Sequence, residues 1–244
     1  MFRTIALSLL LASAAVPAIV AAADAIVRPA ADIARDPVRH PTELLRFAGV
    51  RPGMTIVDFW PGGGYWTRLF SVAVGPRGKV IEFVPAEIAN SPRAPVDLAR
   101  RTAAEPGLGN VTVQSAAITQ MSGDHDVADI VWTFENYHDA HDSFMHGADV
   151  RAFDRAVFNM LKPGGVFVVA DHADAPGTGL SHTEDLHRID PAAVRAEVTS
   201  AGFVFDGESR ILANPADPHS AKVFDPSIRD KTDRFVFRFR KPRR

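Results

Sequence analysis

Three stretches of the chain set histidine beside carboxylate: Glu135-Asn136-Tyr137-His138-Asp139, Asp171-His172, and the segment holding His182, Glu184, Asp185, His187 and Arg188. An imidazole with an ordinary pKa of ~6.5 can take a proton from a nucleophile near neutral pH, so His138 or His172 is a candidate general base. Imidazole and carboxylate can also hold a divalent metal. Asp171 and His172, with one of Glu135, His138 or His187, would supply such a set. No H-x-x-x-H or H-E-x-x-H spacing is present, and no residue is assigned to a metal. A third reading leaves these histidines as ordinary loop residues. His40, His125, His146 and His219 are read that way throughout.

A second stretch offers a ligand loop. The apolar run Ile56-Val57-Asp58-Phe59-Trp60 is short and rich in β-formers, as a buried strand is. Gly62-Gly63-Gly64 follows, and then Leu69, Phe70 and Ala73 recur as on one face of a helix. Strand, glycine turn and helix form the nucleotide site of open α/β sheets. The glycines let the backbone approach a ligand, and the helix start presents unpaired N–H groups.

Those groups must be held by a sheet. Gly78–Val84, Asn110–Val113, Val127–Phe134 and Val166–Ala170 read as further strands, alternating with helical segments. Asp149 and Asp190-Pro191 carry the start signals of two of those helices. Phe203–Phe205 and Arg234–Arg240 read as a closing pair, with Phe235, Phe237 and Phe239 on one face. Asp32 to Val50 reads as helix interrupted at Pro37 and Pro41. The expected fold is a doubly wound α/β sheet. Ligands then bind beyond the carboxyl ends of the strands, where His138, Asp171 and His172 fall on the rim that carries the glycine turn.

Asp58 with Gly62-Gly63-Gly64, and Leu161-Lys162-Pro163-Gly164-Gly165 before the fifth strand, resemble motif I and the L-K-P-G-G turn of class I S-adenosylmethionine-dependent methyltransferases. The two motifs stand about 100 residues apart and in the family's order. Trp60 occupies the place of that motif's first glycine, which is a departure. The resemblance implies a mostly parallel seven-stranded sheet of order 3-2-1-4-5-7-6 with the last strand antiparallel. It implies S-adenosylmethionine as cofactor, with Asp58, Gly62, Gly63, Gly64, Tyr65 and Glu82 around it. The family's ribose-binding acid aligns with Val84, so Glu82 or Glu87 would substitute. Ser115-Ala116-Ala117 stands where an adenine-binding acid is common. Trp60, Tyr65, Trp66 and Tyr137 could wall a sulfonium pocket through their ring faces, although Trp66 is read as core. His138, Asp171 and His172 would meet a small-molecule or protein methyl acceptor. The chain looks most like the bacterial, leader-bearing predicted methyltransferases. Two other classes stay open: a non-catalytic small-molecule-binding module on a degenerate form of the fold, and a metal-assisted hydrolase.

The first 23 residues carry Arg3, the apolar run Ile5 to Leu11 and an Ala21-Ala22-Ala23 end, as a secretory signal peptide does. That run is short for a membrane span of ~20 residues, so cleavage near Ala23 and a periplasmic or secreted protein are expected. Residues 24–244 then form a single domain with no membrane partner. Removing the leader leaves 26 basic against 29 acidic residues, a near balance that gives no reason to expect nucleic acid. The absence of cysteine excludes disulfides and thiolate nucleophiles.

Overall fold

A computed structural model describes residues 28–93, 95–121 and 125–243; the expected leader lies outside the described residues. Seven strands form one sheet in the order β3-β2-β1-β4-β5-β7-β6. They are β1 (Thr55–Phe59), β2 (Lys79–Pro85), β3 (Val111–Ala116), β4 (Ala128–Phe134), β5 (Leu161–His172), β6 (Val204–Ser209) and β7 (Arg234–Arg240). The first five run parallel, and β7 enters antiparallel between β5 and β6. The expected doubly wound, mostly parallel sheet is the one observed.

Alternation along each strand divides the core in two. Val57, Phe59, Val131, Phe167 and the three phenylalanines of β7 face one layer. Ile56, Val80, Ile130, Trp132, Val168 and Val236 face the other. That second layer is closed by α3 (Pro41–Ala48) and α4 (Tyr65–Val74), after two single-turn helices, α1 (Ala30–Ile33) and α2 (Asp36–Arg39). Trp66 is core, tilted on Trp132 and Phe134 with centroids 4.8 and 4.9 Å away.

The remaining helices are α5 (Pro95–Ala103), α6 (Val150–Met160), α7 (Thr183–Leu186) and α8 (Pro191–Ser200). Asp149 caps α6 by accepting from the Ala152 N–H, and Asp190 caps α8 by accepting from the Ala192 N–H. β5 begins five residues earlier than the apolar run suggests. Leu161 already pairs with Ala128, and the Pro163-Gly164-Gly165 corner is taken up as an irregularity before Val166 pairs with Ile130. No helix among the described residues is long and apolar enough to cross a membrane.

Candidate functional site

In this strand order, β1 and β4 are neighbours whose connections leave in opposite directions. A crevice opens beyond their carboxyl ends, where open α/β sheets take ligands. A cavity of about 970 Å³ lies there, and Trp60, Glu87, Glu135, His138, His172 and His187 are among its lining. Phe144 and Phe224, both exposed, add apolar surface to the lining.

Trp60 and Glu135 follow β1 and β4, and both adopt left-handed backbone, with φ of 57° and 61°. For residues with a Cβ that conformation costs roughly 1 kcal/mol or more, so the surroundings must hold it. The Trp60 N–H donates to Phe83 O at 2.8 Å. The Asn136 side chain donates to Trp60 O at 3.3 Å and to Phe134 O at 2.7 Å. Trp60 therefore takes the left-handed conformation that glycine accepts freely, and it adds an indole to the cavity wall.

The rim residues meet as the topology requires. Asp171, fully buried at the end of β5, accepts from His138 twice: from its backbone N–H and from ring Nδ1, each at 2.8 Å. Burial alone would depress His138, but the charge of Asp171 and the hydrogen bonds of Asp139 and Asp171 hold it well above the ordinary imidazole value. His172 goes the other way. Burial pushes it down to about 4 against the pull of Glu135 and Asp171. Its Nδ1 lies 2.8 Å from Thr232 Oγ1, and its ring centroid is 6.1 Å from that of His138. Glu135 stays ionised, at about 2. Burial opposes this, while His172, Arg234 and Arg39 favour it. With His172 neutral at pH 7, the two arginines carry that effect.

The six residues expected around a cofactor are not on the lining of this cavity. Asp58 and Glu82 are paired in register on β1 and β2 and face α4, where the Thr67 hydroxyl lies 2.7 Å from Asp58 Oδ2 and 2.9 Å from Glu82 Oε1. Burial pushes Asp58 up to about 7 and Glu82 up to about 8. Gly62 and Gly63 are exposed in the turn. Gly64 caps α4 with φ 79°, and a Cβ there would stand 2.5 Å from the Thr102 side chain. The Tyr65 hydroxyl donates to Asp36 at 2.6 Å, under the guanidinium of Arg39.

The carboxyl pair gives a pH signature. In the unfolded chain both acids ionise near pH 4, whereas folded they keep their protons to about 7 and about 8. Their contribution to stability is therefore full below about pH 4 and is lost as pH rises through the folded values, by at most ~1.4 kcal/mol per pH unit and group. Urea unfolding of Asp58→Asn/Glu82→Gln should show a clearly smaller loss of stability between about pH 5 and pH 8 than the wild type. Parallel profiles would remove the assignment.

The acid that does reach the cavity is Glu87, just beyond β2. Its Oε1 accepts from the Ile118 N–H at 3.1 Å, while its buried Oε2 has no partner. The sequence offers Glu87 as one of two substitutes for Val84, and of the two Glu87 is on the lining while Glu82 is fully buried. His146, Phe144 and Phe224 also line the cavity without a sequence signal, because loops carry them there.

No family model matches this chain, and no curated protein matches it in sequence. Solved structures do. An S-adenosylmethionine-dependent methyltransferase from Aquifex aeolicus aligns at 16% identity with a TM-score of 0.63, over 90% of this chain and 96% of that one. An O-methyltransferase family protein from Burkholderia thailandensis aligns at 19% identity and TM-score 0.56, over 92% and 60%. A possible exported protein from Bordetella parapertussis aligns at 18% identity and TM-score 0.52, over 86% and 68%. The likeness gives the chain the methyltransferase-type Rossmann-like fold.

Proposed function

We propose that the protein transfers a methyl group from S-adenosylmethionine to a small-molecule acceptor bound in the cavity beyond β1 and β4. The observation that carries this reading is Glu87. Its carboxylate belongs to the cavity lining just beyond β2, close to the place where the family's ribose-binding acid stands. The Trp60 ring supplies a face for a cation or a base plane beside it. The residues present thus fit the cofactor, which would bring a methyl already activated on a sulfonium.

The chain's own part is to hold two molecules in line and dry. The Glu87 carboxylate accepts from a hydroxyl. Phe144 and Phe224 shed water at the mouth. His172, held neutral, offers a lone pair to a proton-bearing acceptor. His138, fixed by Asp171, orients the group beside it. On the reading of residues 1–23 as an export leader, this happens in the periplasm or outside the cell.

Calorimetric titration of the mature chain, isolated from the cell envelope and beginning at Asp24, with adenosylmethionine and adenosylhomocysteine is the test. Binding should be saturable, and Glu87→Gln should weaken it by roughly tenfold or more, the usual worth of a hydrogen bond to a charged group. No binding by the wild type would end the reading.

One observation favours a second reading, a non-catalytic binding module. Asp58 and the glycines are not on the lining of the cavity. A protein that binds adenosine as tightly as adenosylmethionine would point there.

A further inference from the structure

We propose that His138, Asp139 and His187 bind a zinc-class divalent metal ion at the edge of the cavity. The three donor atoms converge from two separate segments. His138 and Asp139 open a short 3-10 turn after β4, and His187 follows α7 with left-handed backbone, φ 54°. His138 Nε2 lies 3.2 Å from His187 Nδ1 and 3.2 Å from Asp139 Oδ1, and His187 Nδ1 lies 3.5 Å from Asp139 Oδ1.

Those spacings select a coordination geometry. Ligands about 2.0–2.1 Å from a tetrahedral ion stand about 3.3–3.4 Å from one another. Ligands at right angles around an octahedral ion of similar bond length stand about 3.0 Å apart. The observed edges of 3.2, 3.2 and 3.5 Å average 3.3 Å, the tetrahedral spacing, and each is longer than the octahedral one. Hydrogen bonding alone serves only part of the triangle. A proton on both ring nitrogens satisfies the carboxylate but points two N–H groups at each other across 3.2 Å. A proton on His138 Nε2 alone leaves one edge of the triangle between two lone-pair atoms. An ion satisfies the three edges together.

Two further features are independent of the triangle. Asp171 holds His138 Nδ1, which fixes the tautomer that frees Nε2 and makes the carboxylate–histidine pair found behind metal-bound imidazoles. Asp142, at the end of the same turn, is 2% exposed, and neither of its carboxylate oxygens has a hydrogen-bond partner. Two imidazoles and one carboxylate suit zinc and its neighbours rather than magnesium or calcium, which prefer oxygen throughout. Because these three residues line the cavity, the fourth position would take an oxygen or sulfur atom of whatever binds there. The residues differ from the set the sequence offers, since Asp171 stands behind His138 and His172 turns to Thr232.

This inference does not rest on the methyl-transfer reading. The test uses the mature chain, stripped with a chelator and titrated calorimetrically with Zn²⁺, and in parallel with Co²⁺ read by visible spectroscopy. The expected result is one saturable site and the intense d–d bands of four-coordinate cobalt. Asp139→Asn and His187→Gln should weaken binding by tenfold or more, and Asp171→Asn by roughly 10–100-fold. His141→Gln, outside the triangle, should leave it unchanged. Circular dichroism confirms that each variant is folded, and His187→Gln, at a partly exposed position, carries the test if Asp139→Asn is not. No saturable binding, wild-type affinity in His187→Gln, or the weak bands of six-coordinate cobalt would overturn the proposal. Zinc binding without adenosylmethionine binding would uphold it and end the methyl-transfer reading alone.

Discussion

Arg188→Ala should cost about 3–5 kcal/mol of folding stability, the range for breaking a buried ion pair from one side. Arg188 is fully buried and meets both carboxylate oxygens of Asp217, at 2.9 and 3.1 Å. It also donates to Ala173 O at 2.9 Å and to Ala221 O at 3.1 Å. Asp217 in turn accepts from the His219 and Asp233 N–H groups at 3.1 and 2.7 Å. One guanidinium thus ties the end of β5 to the loop between β6 and β7, and Lys222, Val223 and Phe224 of that loop wall the cavity. Removing it strands a buried carboxylate and frees the wall. Urea unfolding checks the first consequence, and weaker ligand binding the second. Pairing Arg188→Met with Asp217→Asn should recover part of the loss, because no unpaired charge then remains inside. A cost below about 1 kcal/mol, typical of a surface pair, would sink the argument.

His172→Ala should lower turnover by roughly 10²–10⁴-fold, the usual worth of a positioned proton acceptor, with adenosylmethionine affinity nearly unchanged. His172 lines the cavity, and its Nδ1 meets Thr232. With the ring proton donated to that hydroxyl, Nε2 keeps its lone pair for the acceptor. At about 4, its pKa keeps the imidazole neutral at every pH above about 5, so this group adds no acid limb to the rate profile near neutrality. Loss of turnover without loss of cofactor affinity marks a group acting on the acceptor or in the transition state. Equal loss of both, or of neither, would place His172 among the supporting residues.

Much of this arrangement is legible in the sequence, because sheet topology follows from elements that carry local signals. The Asp149 and Asp190 caps, the Leu161–Gly165 corner and the phenylalanine alternation of β7 each fix a boundary or a face. That His138 meets Asp171 follows from β4 and β5 being neighbours. The faces inside the glycine turn are less legible. Asp58 and Glu82 are expected beside a cofactor, and both face α4, where Thr67 bridges them. Tyr65 follows the glycines directly, but α4 carries its ring toward Asp36 and Arg39. His187 meets His138 across 49 residues because of a left-handed corner after α7, and no periodicity announces such a corner.

The position of β7 bears on the order in which the sheet can form. β7 follows every other strand in the sequence, yet it is an interior strand, hydrogen-bonded to β5 on one side and β6 on the other. Until it pairs, β6 has no partner and β5 presents an open edge, so the sheet closes on β7 last. Such long-range pairings also form slowly.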